Sequence, residues 1–194
     1  LEIFILYLVL TIICSILYYI FGMNGFDAIT HAMTTISTGG FSTHNLSFSV
    51  FNSPNIEIVC ICFMIIGSLP FVVYLKTFHD DKISLFKDDQ IKLFIILLTL
   101  IIIISTLWLQ ENFIEQSFLE SLRISAFNIT SILTGTGYSN ANFSSWGSFT
   151  MVIMIIIMFI GGCAGSTTGG IKIFRLQLLF RGAKTQIKRL TQPH

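Results

Sequence analysis

The sequence predicts an all-α integral membrane protein with two tandem repeats, each ordered as span, short re-entrant helix, glycine-rich loop and span. Hydrophobic residues make up 53% of the 194 residues and charged residues only 11%, whereas a soluble domain has roughly 25% charged residues. Three uncharged apolar stretches approach the roughly 20 residues that cross a bilayer: 3–21, 58–75 and 93–109. Two of them are internal, so a signal peptide does not explain them. A soluble fold with buried core helices is the disfavoured alternative.

The positive charges predict how the spans are oriented. All Lys and Arg residues except Arg123 lie within 76–92 or 172–189. The positive-inside rule makes these segments cytoplasmic and places the connections at 22–55 and 110–147 outside, so both repeats face the same way. A basic tail is also typical of nucleic-acid binding. This one directly follows a membrane segment, so we predict no nucleic-acid partner.

The first repeat is predicted at 1–80. Its apolar stretch at 26–37 is too short to cross the membrane but long enough for a helix that enters and stops, which we call a pore helix. Pro70 is expected to kink the second span, because proline removes a helix hydrogen bond. In chain order the elements are span 2–22, pore helix 26–37, loop 37–41 and span 56–75.

The second repeat is predicted at 81–194 and has the same order of elements. Its pore helix is again short and is followed by a loop rich in Thr and Gly. Its last span is interrupted by Gly, Ser and Thr and continues into a basic cytoplasmic tail. In chain order the elements are span 91–109, pore helix 121–134, loop 134–138 and broken span 148–181 with an intramembrane loop at 161–170.

The two short loops align as "TGGF" and "GTGY", so that Gly40 falls on Gly137 and Phe41 on Tyr138. Irregular backbone at membrane depth is tolerated only where it is buried in protein or faces water. Rings of backbone carbonyls replace the hydration shell of K+ in four "TVGYG" loops. We therefore predict a K+-channel-like architecture with a selectivity filter, and a pair of ordinary outer loops is the alternative. The predicted filter residues are Thr38, Gly39, Gly40, Phe41, Gly135, Thr136, Gly137 and Tyr138.

Other polar residues are expected to be structural. The four Cys residues lie in apolar stretches without zinc-type spacing, and His31 and His44 are too few for a metal site. No transition-metal site is therefore predicted, and the two His residues are expected to be hydrogen bonded. Asp27 and Glu57 are outer acids that either raise the cation concentration at the pore mouth or, for Asp27, favour the N-terminus of the pore helix.

Four stretches spread over the chain carry a family resemblance. They are "GFDAITHAMTTISTGGFSTHNLSFSVFNSPNIE" (25–57), "SILTGTGYSNANFSSW" (131–146), "FIGGCAGSTTGGIKIFRLQLLF" (159–180) and "IKRLTQPH" (187–194). With these residues the chain resembles the TrkH/KtrB-type superfamily of potassium transporters, and within it the TrkH family most. In that superfamily one subunit has four span–pore–span repeats around a single pore, and this chain looks like a fragment covering the second and third.

The resemblance implies a function and a set of partners. It implies K+ uptake across the inner (plasma) membrane by a multi-pass protein, with K+ as the transported ion, no covalent cofactor and no enzyme activity. The implied partners are the first and fourth pore repeats, a second copy in a homodimer, membrane lipids, and a cytoplasmic nucleotide-binding regulatory subunit of the TrkA/KtrA type. The inner loop at 76–90 and the basic tail are the candidate contacts for that subunit. The fragment is not expected to conduct by itself.

The resemblance also implies that the intramembrane loop is a gate below the filter. Glycine lowers helix propensity by about 1 kcal/mol relative to alanine, so the segment is suited to a break. Its hydroxyl side chains can satisfy the backbone groups that the break frees. Close helix packing through GxxxG pairs, a phosphate-binding loop and a plain kink are the alternatives. The predicted gate residues are Gly161, Gly162, Gly165, Ser166, Thr167, Thr168, Gly169 and Gly170.

Two other functions remain open at this stage. One is a secondary carrier that binds an organic substrate at the broken helix, as in inverted-repeat transporters. Parallel orientation of the two repeats disfavours it. The other is a membrane scaffold that transports nothing and uses its glycine segments only to pack helices.

Overall fold

The computed structural model describes residues 1–79, 84–112 and 117–191. Within these ranges the chain is helical, with no β-strand and one isolated bridge between Ile160 and Ile171, which confirms the predicted all-α class. The predicted repeat boundary at 80–81 and the end of the predicted tail at 192–194 lie outside the described residues. The helices are α1 (Glu2–Ile20), α2 (Gly25–Ile36), α3 (Pro54–Ser68), α4 (Phe71–His79), α5 (Ser84–Lys87), α6 (Asp89–Asn112), α7 (Phe118–Leu133), α8 (Gly147–Met158) and α9 (Ile173–Thr191), with single 3-10 turns at Ser47–Val50 and Phe143–Trp146.

Two helices in the described ranges, α1 and α6, are long and apolar enough to cross a membrane. A third candidate span is the pair of α3 and α4, which is bent by 90° at its break. Leu69 has an extended backbone, with φ −90° and ψ 157°, because the residue before a proline is pushed out of the helical region. Pro70 thus ends α3 where the sequence predicted a kink within a span at 56–75.

The two short helices that lead into the predicted filter, α2 and α7, begin and end in the same way. Asn24 and Ser117 cap their N-termini by accepting hydrogen bonds from the backbone N–H three residues later, at 2.8 and 3.3 Å. Each C-terminus has the paired backbone bonds of a Schellman motif. In α2 these run from Gly39 N to Thr34 O (2.8 Å) and from Thr38 N to Thr35 O (3.1 Å).

The same motif ends α7. Its bonds run from Thr136 N to Ser131 O (2.9 Å) and from Gly135 N to Ile132 O (3.0 Å). A Schellman motif needs a left-handed residue just after the helix. Gly135 takes that place with φ 72°, and Thr38 takes it in the first repeat with φ 50°. Both helices therefore stop at the first residue of the predicted filter.

The two repeats share their hydrophobic packing. One cluster of buried side chains joins α1, α2 and α3, and it also contains Phe127 and Tyr138 from the second repeat. The other joins α6, α7 and α8 around Phe94, Leu133 and Cys163. The large apolar side chains that remain exposed on α1 and α6 suit contact with lipid tails rather than water. Phe127 and Tyr138 therefore pack the second repeat against the first.

Candidate functional site

The predicted filter loops have matching backbones. Thr38 and Gly40 are left-handed, with φ 50° and 68°, and the aligned residues Gly135 and Gly137 have φ 72° and 85°. The intervening Gly39 and Thr136 are outside that region. Left-handed residues therefore alternate with others in both loops and in the same register. Glycine adopts this conformation at little cost, which explains three of the four positions.

The two loops also touch. A Cβ atom placed on Gly40 would lie 1.7 Å from the carbonyl oxygen of Thr136 and 2.8 Å from its carbonyl carbon. A Cβ placed on Gly137 meets nothing within 4 Å. The first loop thus approaches the second so closely that only glycine fits at position 40. The alternative of two unrelated outer loops does not have this arrangement.

Six carbonyl oxygens at the junction have no hydrogen-bond donor within the part of the chain that the structure describes. Among the described residues, no hydrogen bond reaches the carbonyls of residues 38–40 or 135–137. The carbonyls of the two aromatic residues are different. Thr34 Oγ1 donates to Phe41 O at 2.9 Å, and Ser131 Oγ donates to Tyr138 O at 2.7 Å. The sequence predicted that all eight residues contribute carbonyl oxygens to the filter. The structure distinguishes six carbonyls without a donor among the described residues from two that accept a side-chain hydrogen bond.

Equivalent side chains brace the back of each loop. In α2, His31 Nδ1 donates to the Asp27 carbonyl at 2.8 Å, and its Nε2 lies 2.9 Å from Ser42 Oγ. Because a carbonyl oxygen can only accept, Nδ1 carries a proton, and Nε2 faces the Ser42 hydroxyl. In α7 the aligned residue is Asn128, which donates to the Ile124 carbonyl and to Asn140 Oδ1. These contacts confirm that the histidine is hydrogen bonded.

Asp27 is a buried brace rather than an acid at the pore mouth. Only 4% of the residue is exposed, and its carboxylate accepts hydrogen bonds from Thr43 at 2.6 Å and His44 Nε2 at 3.0 Å. The Thr43 bond, ahead of the His44 bond, holds the pKa of Asp27 below its ordinary value. The resulting stabilisation is present at neutral pH and is lost as the pH falls through that lowered value. Asp27 also lies in the first turn of α2 and accepts a hydrogen bond from the N-cap residue Asn24 at 2.7 Å, which agrees with the expected role at the N-terminus of the pore helix.

Glu57 is not an acid at the mouth either, because it forms an ion pair between the repeats. Its Oε2 atom is 2.7 Å from Arg123 Nη1, and the two side chains are 7% and 24% exposed. Glu57 lies in the first turn of α3 and Arg123 in α7. Arg123 is the one Lys or Arg residue in the predicted outer segments. A single cation among acidic residues could have indicated an ion pair.

Arg123→Met is therefore expected to destabilise the protein by about 3–5 kcal/mol, because it leaves the Glu57 carboxylate buried and unpaired. The thermal unfolding midpoint in detergent measures the loss. The double variant Arg123→Met/Glu57→Gln should recover a large part of it, since neither charge is then left alone. A single variant as stable as the wild type, or a double variant that is worse than the single, would contradict this assignment.

The predicted gate loop lies directly against the end of the first pore helix. Thr167 Oγ1 is 2.9 Å from the carbonyl of Ile36, 3.0 Å from that of Gly67 and 3.4 Å from Thr38 Oγ1. A Cβ on Gly135 would lie 3.7 Å from the backbone N of Gly169. The loop therefore contacts the first residue of both predicted filter loops.

The glycines of this loop permit close backbone packing within the loop itself. The N–H of Gly161 donates to the Ile171 carbonyl at 2.9 Å, which closes the loop at its base. A Cβ on Gly161 would lie 1.9 Å from Gly169 O, and a Cβ on Gly162 would lie 2.8 Å from Ser68 O. The segment between α8 and α9 is not helical, so helix packing through GxxxG pairs does not account for it.

Lys172 places a positive charge inside the loop. Its Nζ atom contacts the Thr168 carbonyl, Thr168 Oγ1 at 3.0 Å and Ser166 Oγ at 3.4 Å. The sequence analysis placed Lys172 at the start of the cytoplasmic half and did not predict these contacts. Within the described residues no group of three or more His, Cys, Asp and Glu side chains could hold a metal ion. Backbone and hydroxyl oxygens therefore dominate the site.

Comparison with known proteins places these loops in a family context. The sequence profile of the TrkH family, described as a cation transport protein, matches residues 2–194. The Trk system potassium uptake protein TrkI of Halomonas elongata is 35% identical over 93% of this chain and 36% of its own length. The Trk system potassium uptake protein TrkH of Escherichia coli K12 is 32% identical over 100% of this chain and 40% of its own length.

The fold of the chain also matches a solved structure of a protein with a related name. The crystal structure of the potassium transporter TrkH from Vibrio parahaemolyticus matches with a TM-score of 0.93 and 34% identity, over 98% of this chain and 42% of that chain. The chain thus spans about two fifths of the length of the relatives it matches. The similarity covers both repeats, including the two short helices and the loops between them.

Proposed function

Because this chain belongs to the TrkH family of cation transport proteins, we propose that it supplies two repeats of a protein that takes up K+ across the inner membrane. The observation that carries the proposal is the contact between two loops of matching backbone, with six carbonyls that lack a protein donor. Such oxygens can replace the hydration shell of a cation. No reaction on a substrate is part of this function.

The ion passes between the loops without its water. The carbonyls of residues 38–40 and 135–137 contribute to successive positions along the path, and the engaged carbonyls of Phe41 and Tyr138 mark its end. Two loops enclose a path only partly, so two further repeats complete the ring of oxygens. Their identity as the first and fourth repeats, the pairing of two copies, and a cytoplasmic nucleotide-binding regulatory subunit are parts of this proposal.

The loop at 161–170 controls passage below the filter. Its hydroxyl Thr167 is held by carbonyls at the ends of α2 and α3, and the Lys172 ammonium inside it repels an approaching cation. The loop is held by individual hydrogen bonds and is not part of a long helix. A rearrangement therefore costs a few hydrogen bonds rather than the unfolding of a span, which suits a gate.

Rubidium uptake tests the proposed function directly. The complete gene product is expressed in a strain that lacks K+ uptake, and an empty vector and an unrelated membrane protein serve as controls. We expect saturable rubidium uptake that K+ inhibits more strongly than Na+. An organic substrate with no rubidium uptake would favour the carrier, and a well-expressed protein with neither activity would favour the scaffold. Either result would overturn the proposal.

Gly137→Ser is expected to lower the discrimination of K+ from Na+. A serine side chain has room at this position, because a Cβ there meets nothing within 4 Å, but it strains the left-handed backbone at φ 85°. The carbonyls on either side of it then shift, and selectivity depends on their positions. Competition of Na+ with rubidium uptake measures the change. An unchanged ratio with normal uptake would remove residue 137 from the filter.

A further inference from the structure

The side chain of Tyr138, which belongs to the second repeat, packs among residues of the first repeat. It is 1% exposed and lies in the hydrophobic cluster of α1, α2 and α3. Its ring packs on Phe48 of the first repeat, with the ring centroids 4.4 Å apart. The aromatic residue of the second loop is therefore inserted behind the first loop, against the pore helix that leads into it.

The phenol oxygen of Tyr138 reaches the hydroxyl that holds the first loop. It lies 2.5 Å from Thr34 Oγ1, and Thr34 Oγ1 in turn lies 2.9 Å from the carbonyl oxygen of Phe41. Each hydroxyl has one proton. When Tyr138 donates its proton to the Thr34 oxygen, Thr34 keeps its own proton for the Phe41 carbonyl.

This arrangement strengthens the bond to the Phe41 carbonyl. A hydroxyl that accepts a hydrogen bond becomes a better donor, and buried chains of such bonds reinforce one another. Thr34 Oγ1 also lies near two carbonyls of its own helix, those of Thr30 at 3.0 Å and His31 at 3.2 Å. These carbonyls compete with the Phe41 carbonyl for the Thr34 proton, as threonine hydroxyls in helices commonly bond backward, so a weaker Thr34 donor would hold the Phe41 carbonyl less firmly. Tyr138 Oη lies 3.3 Å from the His31 carbonyl as well, farther than from Thr34 Oγ1.

The first repeat holds the second loop differently: Ser47 Oγ accepts a hydrogen bond from Ser139 N at 3.3 Å, and the Phe48 N–H donates to the Ser139 carbonyl at 3.0 Å. Ser131 occupies the position of Thr34 and donates to the Tyr138 carbonyl at 2.7 Å. The first loop carries Phe41 at the aromatic position, which has no hydroxyl, and that residue is 77% exposed. The hydroxyl of the filter aromatic residue therefore joins the repeats from Tyr138 to the first pore helix, where Thr35 Oγ1 also lies 3.5 Å from it.

We propose that the Tyr138 hydroxyl is a specificity-determining positioning group, which fixes the first filter loop through Thr34 and the Phe41 carbonyl. This inference rests on the proposed function, because it concerns the spacing of the filter carbonyls. The hydroxyl itself does not touch the ion. Its removal leaves the ring in place and frees the outer end of residues 38–41 to relax, so that the loop accommodates the smaller Na+ more readily.

The test uses single-oxygen deletions in the complete gene product. Tyr138→Phe and Thr34→Val each remove one hydroxyl, Thr34→Ser keeps it, and Tyr19→Phe removes an exposed tyrosine hydroxyl elsewhere. The readout is the ratio of K+ to Na+ inhibition of rubidium uptake. We expect Tyr138→Phe and Thr34→Val each to lower this ratio about fivefold, as a net hydrogen bond of about 1 kcal/mol implies. The double variant should be no worse than either single variant, because both act on one chain of bonds.

The outcomes separate this inference from the proposed function. Unchanged ratios in both single variants, or losses that simply add in the double variant, would overturn the role of Tyr138 while rubidium uptake itself stands. The same follows if Thr34→Ser loses as much as Thr34→Val, or if Tyr19→Phe matches Tyr138→Phe. If the wild-type protein takes up no rubidium, the proposed function fails, and this inference fails with it.

Discussion

Gly40→Ala abolishes uptake in our account, and it has the largest effect that we expect of any single substitution in the filter. The added Cβ would lie 1.7 Å from the Thr136 carbonyl oxygen. That neighbour is backbone, so it cannot move aside as a flexible side chain would. The two loops must separate, which displaces the open carbonyls of both. The left-handed backbone at φ 68° adds about 1–2 kcal/mol of strain for alanine.

Gly137→Ala is the matched control for this experiment. It carries the same left-handed strain at φ 85° but has no atom within 4 Å of the new Cβ. We expect measurable rubidium uptake from this variant and a loss of at least about tenfold from Gly40→Ala, which corresponds to about 1.4 kcal/mol. The amount of protein in the membrane is measured alongside. Equal uptake by the two variants would show that the loops do not meet as described.

The second large effect is expected from the gate. Thr167→Val keeps the shape of the side chain but removes the hydroxyl that contacts the carbonyls of Ile36 and Gly67. The two carbonyls share the single hydroxyl proton, so its loss is worth about 1 kcal/mol. The Thr167 N–H still donates to the Gly67 carbonyl at 3.2 Å, so the side-chain change frees the loop from the end of α2 and leaves its backbone bond to α3. We expect uptake to rise several-fold. A deletion within 163–169 removes the same contacts and should raise it further.

Thr167→Ser is the control, because it retains the hydroxyl while losing the methyl group. Initial rates of rubidium uptake, normalised to protein in the membrane, are the measurement. We expect Thr167→Ser to behave as the wild type. If the valine variant and the shortened loop both fold but leave the rate unchanged, the loop at 161–170 does not limit passage.

The sequence was sufficient for the features that depend on local chemistry. Length of apolar stretches and charge placement led to the all-α membrane class, and the resemblance of four stretches of sequence led to the family; the comparisons confirm both. The starts and ends of α2 and α7 also depend on neighbours in the chain, because capping residues and left-handed residues set them. That these helices line a pore, and that the segment between α8 and α9 lies within the membrane, stay predictions.

The contacts between the repeats could not be predicted in this way. Glu57 was expected at the pore mouth, and Asp27 either there or at the N-terminus of the pore helix, but neither the Glu57–Arg123 ion pair nor the Asp27–Thr43 bond was predicted. The contacts of the Lys172 ammonium with the hydroxyls of Thr168 and Ser166 were not predicted either. From the sequence alone, a carboxylate or an ammonium is expected to be exposed to solvent. Its burial depends on residues that only the tertiary fold brings next to it. Tyr138 is a similar case, since its backbone position followed from the alignment of the loops and its hydroxyl contacts did not.

The most direct test of the account is to locate a heavy cation in the protein. An experimental structure of the complete gene product with Rb+ or Tl+, analysed by anomalous scattering, shows where the dehydrated ion sits. We predict peaks at coordination distance from the carbonyl oxygens of residues 38–40 and 135–137. Peaks confined to other parts of a protein that takes up rubidium, with these oxygens facing only protein or bulk water, would contradict the account.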